Sequence, residues 1–128
     1  MGGKDTISVL LVEDDRAIAD LYSLKLRLDG FAVHHASDGT TADIIFETAQ
    51  PDVVCVDQRL PDCRGAIAAA RFAERGAIVV LLTNDQESFE RPPLAVARAL
   101  LKSRTNPGQL SATIRELVQA GGAAPSPS

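Results

Sequence analysis

Residues 7–15 read ISVLLVEDD, an apolar run that ends abruptly in three acids. A surface loop mixes such residues and an amphipathic helix spaces them apart. A continuous apolar run of this length suits a strand buried on both faces, as in the middle of a parallel sheet. The acids then stand where the strand leaves the core. Such a cluster needs a positive partner or open water.

The same design recurs downstream. DVVCVD (52–57) is a second apolar run ending on a carboxylate, and AIVVLLT (77–83) is a third, ending on a hydroxyl. Phe31 to Ser37 and the shorter ARALLK (97–102) complete five strand candidates. Helices fit between them. Asp15 to Asp29 carries Ile18, Leu21, Leu24 and Leu28 as its expected core stripe and closes on Gly30. Asp38-Gly39 opens a second helix, which runs to about Ala49. Arg64 to Arg75 makes a third, stopped by Gly76. The polar stretch NDQESFERPP (84–93) has room only for a short helix before Pro92-Pro93. Asn106 to Gln119 is the last, with Pro107 tolerated in its first turn and Leu110, Ile114, Leu117 and Val118 as its stripe. Five β-α repeats with short connections predict an α/β fold, a doubly wound five-stranded parallel sheet. Residues 1–120 form the expected domain and GGAAPSPS (121–128) a flexible linker or tail.

Bulk properties narrow the function. The chain of 128 residues suits one domain with one hydrophobic core. With no Trp and few aromatics, that core is built from Leu, Ile, Val and Ala. A formal net charge of −4 argues against direct nucleic-acid binding by this domain. No stretch approaches the roughly 18 apolar residues of a membrane span, the N-terminus lacks a signal core, and Met1-Gly2 is a poor myristoylation site. The cytoplasm is the expected compartment. Cys55 reads as a core residue, and Cys55 with Cys63 does not make a zinc site. His34 and His35 read as ordinary surface or edge residues of the second strand.

Sheets of this class bind ligands beyond the carboxyl ends of their strands, where strand order reverses. The residues at those ends are Glu13, Asp14 and Asp15, then Asp57, Thr83 and Lys102; Ser37-Asp38 serves to cap a helix. If the first and third strands are neighbours, Glu13, Asp14 and Asp57 converge. Three close carboxylates repel, and a divalent cation relieves the repulsion. Hard oxygen ligands suit magnesium. Lys102 adds a second positive charge. Metal, ammonium and hydroxyl around one carboxylate suit a phosphoryl group carried on Asp57.

These residues carry a resemblance. VEDD (12–15), Asp57 with RLPDCRG soon after it, Thr83 after IVVLL and Lys102 after ALL resemble, in order, the strand ends of response regulator receiver domains of two-component signalling. The resemblance covers about residues 7–119. It implies the flavodoxin-like (βα)5 fold with strand order 2-1-3-4-5. It implies that Asp57 is the phospho-acceptor, and that Glu13, Asp14, Asp57 and the backbone carbonyl of Arg59 hold Mg2+. Thr83 and Lys102 would bind the phosphoryl oxygens, while Asp15 caps the first helix. The implied partners are a histidine kinase or phosphotransfer protein, and an effector domain or downstream protein; the oligomeric state is not implied. Such a domain is not a conventional enzyme; it catalyses only its own phosphorylation and dephosphorylation. An aspartyl phosphatase would carry a second acid two residues past the nucleophile, where this chain has Arg59. The alternative is a receiver-like interaction scaffold that signals without phosphate.

Three departures from the family lie in the second half. Ser103 stands where a proline with a cis peptide is usual, and a cis bond before a non-proline costs about 2.5–4 kcal/mol. A trans loop would aim Lys102 differently. Ala99 replaces an aromatic. The segment between Thr83 and Lys102 is short. The NDQESFERPP segment is therefore the expected switch, anchored by Phe89. Arg59 and Asp85 carry opposite charges and are expected to pair across the mouth of the site.

Overall fold

The computed structural model describes residues 6–123. Both the Met1-Gly2 motif and residues 124–128 of the expected tail lie outside them.

Five strands alternate with five helices: β1 (Ser8–Val12), α1 (Arg16–Leu28), β2 (Ala32–Ala36), α2 (Gly39–Ala49), β3 (Val53–Asp57), α3 (Gly65–Glu74), β4 (Ile78–Thr83), α4 (Gln86–Glu90), β5 (Arg98–Leu101) and α5 (Pro107–Ala123). A single 3-10 turn, Lys102–Arg104, joins β5 to α5. The strands form one parallel sheet in the order β2-β1-β3-β4-β5. Residues Val9–Val12, Val53–Val56 and Val79–Leu82 are fully or almost fully buried, as continuous apolar runs require.

The sheet divides two apolar layers. On one face Leu10, Val12, Val54, Val56 and Leu81 pack under α2 and α3, with Phe46 stacked on Phe72 at 5.1 Å. On the other, Val9, Leu11, Cys55, Val80 and Leu82 pack under α1 and α5 with Phe31, Leu110 and Ile114. Cys55 is fully buried, and burial pushes its thiol up to about 12, so it is a core residue without nucleophilic character.

Helix α1 corrects the stripe expected from its leucines. Its buried face is Ala19, Tyr22, Ser23 and Leu26. Leu21, Leu24 and Leu28 are 57%, 58% and 73% exposed, and Ile18 is half-buried. Both sets recur at helical spacing, and the small side chains of Ala19 and Ser23 let the helix approach the sheet closely. Helix α5 also extends further than its sequence suggests, through Ala123 rather than Gln119. Gly121 lies inside it, and a Cβ there would come 3.2 Å from Ile78 Cδ1, so the glycine allows close passage over β4.

Candidate functional site

The carboxyl ends of β1, β3, β4 and β5 open on one edge of the sheet. Parallel register places Val12 beside Val56 and Asp57 beside Leu82. Glu13 and Asp14 therefore follow β1 at the level where Asp57 ends β3. Carboxylate oxygens of Glu13, Asp14 and Asp57 lie within 4.8 Å of one another. Asp14 is exposed, while Glu13 and Asp57 are buried. Asp14, Asp57, Gln58, Arg59, Asn84, Asp85 and Lys102 line a cavity of about 420 Å³. A hollow of about 570 Å³ at the opposite end, near Phe46 and Ile78, is larger. Its Arg75 is already committed to Asp43, Glu47 and the Phe46 ring, so it gathers no comparable set of free polar groups.

Lys102 neutralises the acids. Its Nζ lies 2.8 Å from Asp57 Oδ2 and 3.0 Å from Glu13 Oε1. Burial alone lowers the Lys102 ammonium, but its hydrogen bonds to Asp57 and Glu13 outweigh that and hold its pKa above the ordinary value. Burial also pushes the Glu13 carboxyl up to about 7, with Asp57 adding to the rise and the Asp15 amide and Lys102 opposing it.

The Lys102 expectation needs one correction. No peptide among the described residues is cis, so the Lys102–Ser103 bond is trans, yet the ammonium still reaches Asp57. Ser103 keeps the N–H that proline would lack and donates it to Asn84 Oδ1 at 2.9 Å. Thr105 Oγ1 donates to Leu101 O at 2.7 Å, closing the other side of the turn. The loop is fixed by hydrogen bonds rather than by a ring.

The acidic loop is equally well held. Glu13 Oε2 accepts from Asp15 N at 3.1 Å, and Asp15 caps α1 by accepting from Ile18 N. The ring of His35, at 2.8 Å from the Glu13 carbonyl through Nε2, donates to it across the β1–β2 edge. His35 is thus a supporting residue of the site that its sequence context did not reveal. Glu13 Oε1 is buried and, apart from the Lys102 ion pair, has no hydrogen-bond partner. A buried carboxylate oxygen with spare capacity beside two further carboxylates fits a small divalent cation.

Gly65 permits the turn behind Asp57. It donates its N–H to Gln58 O at 2.7 Å, and a Cβ there would fall 2.3 Å from the Asp57 carbonyl oxygen. Farther along the loop, Asp62 accepts from Gly39 N, Thr40 N and Thr40 Oγ1, each at 2.8 Å, and so ties the β3–α3 loop to the start of α2.

Thr83 is buried at the end of β4. Its hydroxyl donates to Gln58 Oε1 and accepts from Asp85 N. Gln58 escaped notice in the sequence because its partners are distant in the chain. The expected Arg59–Asp85 pair is not among the described ion pairs. Asp85 caps α4 instead, accepting from Ser88 N and Ser88 Oγ. Phe89 is only partly covered and lines a groove with Leu100, Leu101 and Thr105.

Fold and site define a class: a doubly wound domain with a carboxylate at a strand end, flanked by two further acids and a lysine. The family model described as "Response regulator receiver domain" matches residues 9–105. The chain belongs to that family. It is 32% identical over 81 residues to the sensory transduction protein RegX3 of Mycobacterium tuberculosis, an alignment covering 63% of this chain and 36% of that protein. The chain thus spans about a third of the length of the mycobacterial relatives it matches. Among solved structures, a CheY-like receiver domain from Methanospirillum hungatei aligns with TM-score 0.82 at 23% identity, covering 92% of this chain and 98% of that one. The BeF3-activated DrrB receiver domain aligns with TM-score 0.76 at 26% identity, covering 89% and 98%. The acidic triad is typical of the receiver magnesium site. Among the described residues, no helix is long and apolar enough to cross a membrane.

Proposed function

We propose that this receiver domain is a phospho-accepting switch that takes a phosphoryl group on Asp57 from a histidine kinase or phosphotransfer protein. The observation that carries this reading is the Lys102 ammonium 2.8 Å from Asp57 Oδ2, with Glu13 and Asp14 alongside. An Asp57 oxygen forms the new P–O bond as the P–N bond of the donor phosphohistidine breaks. The departing imidazole nitrogen keeps the bonding electron pair. Lys102 holds the carboxylate in place and stays near the charge as it moves onto the phosphoryl oxygens. Glu13, Asp14, Asp57 and the Arg59 carbonyl would hold magnesium, which supplies further neutralisation of phosphoryl charge when bound. Thr83 supplies a hydroxyl donor. Residues 1–120, which α5 carries on to Ala123, are the proposed functional unit, joined through the residues after α5 to an effector domain or signalling to a separate downstream protein, in the cytoplasm.

The test is labelling by acetyl phosphate with magnesium. The wild-type protein should gain one phosphoryl group that maps to Asp57, and Asp57→Asn should gain none. A label on another residue, or none, overturns the reading. Absence of label would leave the phosphate-independent scaffold as the alternative.

A further inference from the structure

The Thr83 hydroxyl has one proton to give. It spends that proton on Gln58 Oε1 while accepting from Asp85 N at 2.9 Å. At its other end Gln58 Nε2 donates to Ser88 Oγ at 2.9 Å, on α4. Ser88 Oγ donates to Asp85 Oδ2 at 2.6 Å, the cap of that helix. The direction of this chain is fixed by its donors. A carboxylate only accepts, so Ser88 spends its single proton on Asp85. Ser88 can therefore only accept from Gln58, which puts the amide nitrogen toward Ser88 and the amide oxygen toward Thr83.

From this network we infer that Gln58 is a latch between the phosphoryl site and α4, an inference that rests on the phospho-acceptor reading above. A phosphoryl oxygen on Asp57 has no proton and must take one in a hydrogen bond. Thr83 has one, and serving the phosphoryl group withdraws it from Gln58. Gln58 then loses the bond that anchors its amide oxygen, and Ser88 loses a fixed donor. Helix α4 has five residues, none of them buried, so little else holds it. The receiver thus transmits its state through a polar chain next to the acceptor. Ala99, buried against β4, has no side-chain rotamer to switch. The Thr83 hydroxyl changes partner, and the loss is felt at residues 85–88.

Gln58→Leu removes both bonds of the latch. Ser88→Ala removes its far end together with the Ser88–Asp85 hydroxyl bond, outside the phosphoryl site and the core. Amide hydrogen exchange over residues 84–91 is measured for the wild type and both variants, with and without magnesium and beryllium fluoride as phosphoryl mimic. At rest, both variants should exchange about three- to tenfold faster there than the wild type, the effect of one net hydrogen bond. The mimic should raise wild-type exchange to a similar level and leave the variants unchanged. Resting exchange in Gln58→Leu equal to wild type overturns the latch, even where Ser88→Ala, which also loses the Asp85 bond, exchanges faster. So does a full wild-type response to the mimic in Gln58→Leu. Labelling of Asp57 by acetyl phosphate is followed in the same samples. Its failure in the wild type sinks the phospho-acceptor reading, whereas the resting comparison needs no ligand and judges the latch alone.

Discussion

Lys102 Nζ sits 2.8 Å from Asp57 Oδ2 although the peptide that follows Lys102 is trans. The proline usual in the family is therefore not needed to aim this lysine. A 3-10 turn and the Ser103–Asn84 bond do it instead.

Lys102→Ala should expose how much the acids depend on that ammonium. Two buried carboxylates, Glu13 and Asp57, would lose their cation, and removing one partner of a largely buried pair costs more than the pair is worth. Glu13 can relieve part of the strain by taking a proton. We expect a loss of about 1–3 kcal/mol in urea unfolding without metal. Asn84→Ala should cost less, because Lys102 keeps its own partners. Equal losses in the two variants would show that the turn, not the charge, sets the stability.

The faces of α1 separate the two readings of its sequence. Leu24 is more than half exposed, so Leu24→Lys should change stability by no more than about 0.5 kcal/mol. Leu26 is fully buried against the sheet, and Leu26→Ala should cost about 2–5 kcal/mol. Thermal or urea unfolding of both variants decides the matter. A large loss in Leu24→Lys would restore the leucine stripe as the core face.

The misreading of α1 shows where sequence legibility ends. Strands β1, β3 and β4 were legible because a run buried on both faces leaves no other use for consecutive Val, Leu and Ile. The site was legible because Asp57 and Thr83 end their strands, Glu13, Asp14 and Lys102 follow theirs at once, and parallel register brings strand ends together. Helix faces were less legible. Leu21, Leu24 and Leu28 compete with Ala19, Tyr22, Ser23 and Leu26 for the sheet, and hydrophobicity alone favours the wrong set. Tyr22 is held inward partly by its hydroxyl, which donates to Thr105 O at 3.1 Å, eighty-three residues away. The same distance problem hid Gln58 and His35. Their partners lie on other strands and loops, and no local spacing announces them.

Asp62 predicts an acid-sensitive contact. The backbone N–H groups of Gly39 and Thr40 and the Thr40 hydroxyl hold its carboxyl down to about 2. A carboxyl with a lowered folded pKa binds protons less readily in the folded chain than in the unfolded one. Its stabilisation is therefore complete above the unfolded value near 3.8 and is lost as pH falls through about 2. Asp62→Ala should be less stable than wild type by a constant amount from pH 7 to about 5, and the gap should close as pH falls from about 4 toward 2. Parallel urea titrations at those pH values provide the check. A gap that stays constant to pH 2 would mean that the carboxylate charge contributes nothing to the loop–α2 contact.

His35 tests whether the acidic loop is held from outside. Its Nε2 lies 2.8 Å from the Glu13 carbonyl, and that carbonyl belongs to the residue whose side chain meets Lys102. The bond needs a proton on Nε2, which both the charged imidazole and one neutral tautomer carry. It therefore needs no particular charge state, and its role is to fix the backbone from which Glu13 and Asp14 project. Replacing the ring with His35→Phe keeps the bulk at the sheet edge and leaves the carbonyl to water. The cost should be about 0.5–1.5 kcal/mol, that of one net hydrogen bond. The more telling measurement is magnesium titration followed by calorimetry. If the bond positions the acids, His35→Phe should weaken magnesium binding about three- to tenfold, while His35→Gln, which retains an N–H donor, should recover part of it. Unchanged affinity in His35→Phe alongside a stability loss would confine His35 to the β1–β2 edge and leave Glu13 positioned by Asp15 and Lys102 alone.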